Sequence, residues 1–477
     1  MTSVASPLAP DWLAVPADAN DLPASVWPSS ALRDGRGVLS IGGVPATDLV
    51  EQFGTPLYVV DEEHVRARAR ETLAAFTAQF ERIGTRAKVY YAGKAFLSTA
   101  VARWVSDEGL GVDVCTGGEL AVALAAGVDP GRIGMHGNNK SVDEIERAVS
   151  AGVGTIVIDS EIEIDRVAAA AVRLGRVQGV RLRVNSGVHA HTHDFLATAH
   201  EDQKFGFPLD RAEAAVTAIR SHAGLDFRGL HCHIGSQIFG ADGFAESAAR
   251  LLSLHARLLE TGPVPELNLG GGFGIAYTTA DDPTPIEELA ARIAGIVEAE
   301  CAALGIALPV VAFEPGRSII GGAGVTLYSV GTIKDVDVTL PGGSADATAP
   351  RRYVSVDGGM SDNARTALYG ADYSVRIASR ASDADAALVR IAGKHCESGD
   401  IVVNADYLPA DVTPGDLLAV PATGAYCWAL ASNYNIVGRP PVVAVANGEA
   451  RLLIRGETEN DLLARDTGFA PTAPGAS

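Results

Sequence analysis

The sequence predicts an α/β TIM barrel followed by a second, mainly β domain, either a barrel or a sandwich. Three observations predict it. Between residues 62 and 317, strand-length apolar runs alternate with helix-length amphipathic segments eight times, the rhythm of a (β/α)8 barrel. Most of these runs end on their C-terminal side in polar or glycine-rich clusters, and in a closed barrel those ends converge on the rim where active sites sit. After residue 318 helical patterns become rare, and short strands with Gly, Pro and Asp turns take over. The alternative, a doubly wound open sheet, usually shows fewer strands and one glycine-rich fingerprint after the first.

Residues 1–30 are rich in Pro, Ala, Ser and Asp and read as a loose tail. "GVLSI" and "PLYVV", within 37–60, are strand-like and precede the barrel, where they can pair with the later β domain. The barrel runs are "VYYAGKA" (89–95), "GVDVCTG" (111–117), "RIGMHGN" (132–138), "TIVIDS" (155–160), "VRLRVN" (180–185), "FRGLHCHIG" (227–235), "ELNLGGG" (266–272) and "VVAFEPGR" (310–317). Their polar ends are Lys94, Asp113, His136 with Asn138, Asn185, His233, Gly270 to Gly272, and Glu314 with Arg317. Helix patterns such as "SVDEIERAVSAG" and "PIEELAARIAGIVEAECAALG" lie between them, the first with a Ser-x-x-Glu cap. Beyond 318, "GVTLYSVGTIKDV", "RRYVSVDGG", "ALVRIAG", "DLLAVPAT" and "RLLIRGE" read as strands, with 335–352 as an exposed loop. The expected organisation is a disordered tail at 1–30, a barrel at 62–317, a β domain from 31–61 with 318–463, and a flexible tail at 464–477.

The 477 residues suffice for two or three ordinary domains, and 47% hydrophobic with 20% charged residues marks a globular chain. A net charge of −20 without a basic block argues against nucleic acid or an anionic membrane as partner. The N-terminus lacks the basic and apolar regions of a signal peptide. The longest apolar run, 296–313, is broken by Glu298 and Glu300 and falls short of a membrane span. Five scattered cysteines without a C-x-x-C fit a reducing cytoplasm better than a disulfide framework or zinc site.

Lys94 stands in "VYYAGKAF" among Val, Tyr, Ala and Phe. A strand-ending lysine commonly keeps its ammonium in water; one desolvated against apolar walls becomes an amine nucleophile, as in Schiff-base enzymes. "LNLGGGFGIAY" (267–277) lets backbone N–H groups approach an anion, although a plain tight turn gives the same pattern. "HCHIGSQ" (231–237) puts two histidines on one strand face, followed by Gly235 and Ser236. These serve as core histidines or as ligand contacts, and with no third ligand a metal site is disfavoured. "FEPGRS" (313–318) sets a carboxylate and a guanidinium around a Pro-Gly turn, as a local ion pair or as two ligand groups.

Taken together, these pieces call for a ligand with an aldehyde for the amine, a phosphate for the cradle, a flat ring, and a ring nitrogen for the carboxylate. Pyridoxal 5'-phosphate meets all four. "YYAGKAF", "HCHIGSQ", "LNLGGGFG", "EPGR", "VDGGMSDN", "CESGD" and "TGAYCWALASNYN" resemble, in order from about 35 to 460, the diaminopimelate decarboxylase family of alanine-racemase-like, fold type III enzymes. The resemblance implies a homodimer with active sites at the subunit interface. It implies that Lys94 carries the cofactor, His233 stacks on its ring, and Ser236, Gly270, Gly271, Gly272, Gly316 and Arg317 serve its phosphate end, with Arg317 also near substrate. It sets Glu314 against the ring nitrogen, where a carboxylate keeps the ring protonated and electron-accepting. From the β domain it implies Arg365, Tyr369, Glu397 and Tyr426 for substrate, Tyr426 also for cofactor, and Cys396 as proton donor to the decarboxylated carbon. Read by itself, Cys396 is a buried structural thiol. Cys115, Cys232, Cys301 and Cys427 are expected in the core.

The family usually has "NPRPALY" where this chain has "NARTALY", and "RVNPGV" where it has "RVNSGV". Each change loses a proline and keeps the functional side chain, which bears on loop stiffness. The expected activity is decarboxylation of meso-2,6-diaminopimelate to L-lysine. Decarboxylation of ornithine, lysine or arginine, racemisation, and a non-catalytic cofactor carrier are the competing readings. No metal is expected.

Overall fold

The computed structural model describes residues 6–188, 204–340 and 347–468. The chain divides into two compact units: Glu63–Ala276 with Asp281–Gly322, and residues up to Glu62 with Tyr277–Ala280 and those from Ala323 onward.

The first unit is a closed ring of eight parallel strands: β1 Ala87–Ala92, β2 Gly111–Val114, β3 Ile133–Met135, β4 Thr155–Ile158, β5 Gln178–Asn185, β6 Leu225–His231, β7 Glu266–Asn268 and β8 Val310–Phe313. Each strand pairs with the next, and β8 returns to β1 with Val311 opposite Ala87. All eight apolar runs read from the sequence form these strands. Helices follow them where side chains satisfy free N–H groups. Ser98 caps Thr99–Asp107, Thr116 caps Gly117–Ala125, and Ser141 with Glu144 forms a capping box on Val142–Ala151. That last helix stops at Gly152, whose φ of 81° a side chain would resist. Between helices and strands lies an aromatic layer in which Phe76 stacks on Phe313 at 3.9 Å and Phe244 on Phe273 at 5.1 Å.

The ring interior is polar, unlike the branched aliphatic filling common in such barrels. Arg181 is fully buried, and its Nη2 lies 2.6 Å from Glu266, which Lys88 approaches to 2.5 Å. Glycines make room: a Cβ on Gly111 would lie 2.4 Å from the Tyr90 ring, and one on Gly134 2.3 Å from Asp113 Oδ1.

In the second unit, strands run in the order Ile401–Pro409, Ala386–Ala392, Thr348–Val356, Gly324–Thr339, Leu57–Asp61, Val442–Ala446, Glu449–Ile454. Leu57–Asp61, from "PLYVV", pairs antiparallel with Gly324–Thr339 and parallel with Val442–Ala446. Leu39–Ile41, from "GVLSI", joins a small separate sheet with Leu32–Arg33 and Val44–Pro45.

Two expectations need correction. The described part of 1–30 is not a loose tail: Val26 and Trp27 are buried, Asn20 exchanges hydrogen bonds with Ser382, and Arg376 Nε donates to Asp21 O. Its Pro/Ala/Asp composition precludes regular structure without precluding packing. Most of the expected 335–352 loop is strand, with Thr339 opposite Thr348. The alternation in "DVDVT" is a strand pattern that the Gly, Ala and Asp around it obscured. Residues 1–5, 341–346 and 469–477, the remainder of that loop and the tails, lie outside the described residues. Among the described residues no helix is long and apolar enough to cross a membrane.

Candidate active site

β1 ends at Ala92, and one tight turn, Gly93–Ala95, precedes the cap at Ser98. That short connection holds Lys94 at the C-terminal rim. Its side chain is exposed to a cavity of about 360 Å³ whose walls include Asp113, Cys115, His136, Arg183, His233 and Glu314. No carboxylate among the described residues pairs with its ammonium. Cys115, expected in the core, instead lines this cavity, its Sγ 3.1 Å from Glu119 Oε2. Burial and the Glu119 carboxylate push its thiol up to about 12. Cys232 and Cys301 are buried as expected.

The glycine triplet follows β7. A Cβ on Gly270 would lie 2.5 Å from Cys232 O, one on Gly271 2.1 Å from Glu314 O, and one on Gly272 2.5 Å from Gly235 O. No larger residue fits, so the turn lies directly against the ends of β6 and β8. Gly271 N–H donates to His233 Nδ1 at 3.3 Å. Arg317 Nη2 donates to Ser236 Oγ at 2.8 Å, and Arg317 is buried. Gly316 packs where a Cβ would touch Ala92 and Ala95 on either side of the lysine turn.

Glu314 ends β8 among four polar side chains. Asn268 Nδ2 donates to Oε1 at 2.5 Å, His231 Nε2 lies 3.1 Å from Oε2, and His136 Nε2 lies 3.3 Å from Oε1. On its other side His136 Nε2 is 3.4 Å from Asp113 Oδ1. Burial works against charge at each group, and the neighbours decide the outcome. Burial pushes the Glu314 carboxyl up, but His136 and His231 draw it well below the usual range. Burial works to strip the proton from His136, yet Glu314 and Asp113 hold its value up at about 9. Burial and the nearby Glu314 raise Asp113 to about 6, while burial lowers His231 to about 4. His233 is lowered by burial and by Lys94 and Arg183.

The sequence shows Asp113 and His136 only as polar strand ends and His231 as a core histidine or ligand contact, and gives Arg183 and Asn268 no role. The available signal was period two: "VRLRVN", "HCH" and "ELNLG" each alternate, which sends Arg181 and Arg183, His231 and His233, and Glu266, Asn268 and Gly270 to the inner face. No third partner for the two histidines is near them in sequence: His136 and Glu314 approach His231 from other strands.

The remaining predicted residues belong to the second unit. Arg365 is buried, its guanidinium 4.4 Å from the Tyr277 ring centroid and its Nη1 2.5 Å from Tyr373 Oη. No carboxylate pairs with it among the described residues, so its charge is available to an anion. Tyr369 is 44% exposed. Cys396 and Glu397 occupy an exposed turn, held where Asn435 Oδ1 accepts from Cys396 N at 3.2 Å, so Cys396 is not the buried thiol of the simpler reading. Tyr426 is half-buried with φ 63°.

Comparison with known proteins explains the constellation. The family described as "Pyridoxal-dependent decarboxylase, pyridoxal binding domain" matches residues 64–321. Diaminopimelate decarboxylase of Mycobacterium tuberculosis is 55% identical over 447 residues, covering 92% of this chain and 97% of that enzyme. The Bacillus subtilis enzyme is 44% identical, covering 91% and 96%. The crystal structure of diaminopimelate decarboxylase from M. jannaschii superposes with a TM-score of 0.84 at 31% identity, covering 93% of this chain and 98% of that one.

The family's cofactor is pyridoxal phosphate, and the residues present fit it. Among the described residues neither buried Asp113 oxygen accepts a hydrogen bond, its contact with His136 being an ion-pair distance only, and Asp113 lines the cavity. An ionised Glu314, an amine with no acidic partner among the described residues, and a glycine turn beside Arg317 and Ser236 are the kinds of group that a ring nitrogen, an aldehyde and a phosphate require. The chain belongs to the pyridoxal-dependent decarboxylases and, among them, to the diaminopimelate decarboxylase family.

Proposed function

We propose that the protein removes one carboxylate of meso-2,6-diaminopimelate, releasing CO2 and L-lysine. The observation that carries this reading is the 55% identity extending across both units. Pyridoxal phosphate, when bound, supplies the ring that accepts the electrons left by CO2. Lys94 would hold the cofactor through its side-chain amine. Glu314, kept ionised, holds a proton at the ring nitrogen. His233 would flank the cofactor's ring, and Ser236, the glycines at 270–272, Gly316 and Arg317 would hold its phosphate.

The substrate carries a second amino-acid head. Arg365 offers a buried cation for its far carboxylate, with Tyr369 and Tyr426 beside it, and Glu397 accepts its far ammonium. Cys396 delivers the proton that replaces CO2 on the α-carbon. We assign Cys396 and Glu397 to the cavity of a second copy of the chain, in a homodimer, a role that their exposed turn supports. Unpaired cysteines support a cytoplasmic setting.

The test is CO2 release from meso-diaminopimelate, ornithine, lysine and arginine with added pyridoxal phosphate, alongside optical rotation for racemisation. Diaminopimelate is expected to react and the others not. Lys94→Ala is expected to lose both turnover and the absorbance band of covalently held cofactor. Inert diaminopimelate beside reactive ornithine overturns the substrate; a Lys94→Ala protein that keeps both properties overturns the scheme.

A further inference from the structure

We propose that His136 is a positioning residue for Glu314: clamped between two buried carboxylates, its imidazolium keeps Glu314 ionised and aimed at the cofactor's ring nitrogen. The inference rests on the reading above that Glu314 faces that nitrogen.

Geometry leads to it. Asp113 on β2 and Glu314 just past the end of β8 reach into one cavity, and His136 Nε2 stands between them at ion-pair distances of 3.4 and 3.3 Å, with no hydrogen bond to either among the described residues. Two carboxylates sharing a buried site cannot both ionise cheaply; one ordinarily retains a proton. A protonated Glu314 offers a ring nitrogen a neutral hydrogen bond and no charge. A cation between the two acids removes that conflict.

The other partners of Glu314 do not bring a charge at pH 7. Asn268 is neutral, and His231, lowered to about 4 by burial, helps draw Glu314 down through its contact at 3.1 Å but is itself neutral there. Lys94 and Arg183 also line the cavity, but neither pairs with Glu314 among the described residues. Arg183 lies 3.9 Å from Asp159, its guanidinium over the Phe205 ring.

The chain is shaped around the clamp. Gly134, two residues before His136, leaves the space that Asp113 occupies, since a Cβ there would lie 2.3 Å from Oδ1. His136 N–H donates to Val114 O at 2.8 Å, tying it to β2, and its ring meets the edge of His231 at 5.0 Å. Among the described residues, the groups facing His136 are therefore Asp113 from β2, His231 from β6 and Glu314 at the end of β8, with Lys94 and Arg183 across the cavity and Asp159, at the end of β4, at longer range.

Two measurements test the proposal. In the full-length cofactor-free protein carrying 15N-histidine, one imidazole is expected to stay protonated to about pH 9. Its signal should vanish in His136→Gln, and its titration should fall by about one pH unit or more in Asp113→Asn. In protein loaded with ring-15N pyridoxal phosphate, His136→Gln should release the ring-nitrogen proton at a pH lower by about one unit or more. No histidine protonated above pH 8, or an unchanged ring-nitrogen titration in His136→Gln, overturns the proposal. Should that variant fail to fold, the wild-type and Asp113→Asn titrations decide. Glu314→Gln separates the two readings: if it too leaves the ring nitrogen unchanged, the role of Glu314 fails as well; if it alone shifts the nitrogen, only the role of His136 falls.

Discussion

At the scale of single residues, chemistry is set by charges that burial opposes and neighbours restore. His136 and His231 lie a ring's width apart and titrate in opposite directions because one faces two carboxylates and the other only one. The consequences for stability carry opposite signs. The folded value of His136, about 9, lies above its unfolded value, so its contribution is complete below about pH 6.5 and is lost as pH rises through 9. The folded value of His231, about 4, lies below, so its contribution is complete above about pH 6.5 and is lost as pH falls through 4. Urea midpoints of the cofactor-free protein from pH 4 to 10 are expected to decline toward both ends, and His136→Gln is expected to flatten the alkaline side.

At the scale of elements, the βα junctions place the site. Each helix must start at a defined residue if the preceding strand end is to present its side chain at the rim, and the caps at Ser98, Thr116 and Ser141 fix those starts. Glu144 does double duty: its carboxylate accepts from Ser141 N at 2.9 Å and from Gly117 N at 2.6 Å, tying two consecutive junctions together. These backbone donors hold its carboxyl below the ordinary range. Ser141→Ala is expected to cost about 1 kcal/mol, measured as a shift of the urea midpoint. Elements of this kind were legible because their signals are local: "SVDEIERAVSAG" carries its own start, face and stop. The strand arm at 335–339 was misread because Gly, Ala and Asp outweighed a five-residue alternation.

At the scale of the whole molecule, the barrel interior is a column of paired charges where an apolar filling is usual. Arg181 is fully buried and Glu266 nearly so, which leaves little water to replace either partner. Glu266→Gln leaves Arg181 buried with its charge uncompensated, and about 3–5 kcal/mol of destabilisation is expected from equilibrium unfolding. The sequence by itself determined the order of strands and helices, the lysine at the end of β1, the glycine triplet, and the Glu-Pro-Gly-Arg turn, because periodicity and turn chemistry are properties of neighbouring residues. Only the tertiary structure decided that Asp113, His136, His231 and Glu314 share one charge cluster, that Cys115 faces the cavity, and that residues 6–30 are packed. The cluster draws on residues as far apart as Asp113 and Glu314, 201 positions along the chain, and whether each group carries a proton depends on burial and ångström distances that no stretch of sequence contains.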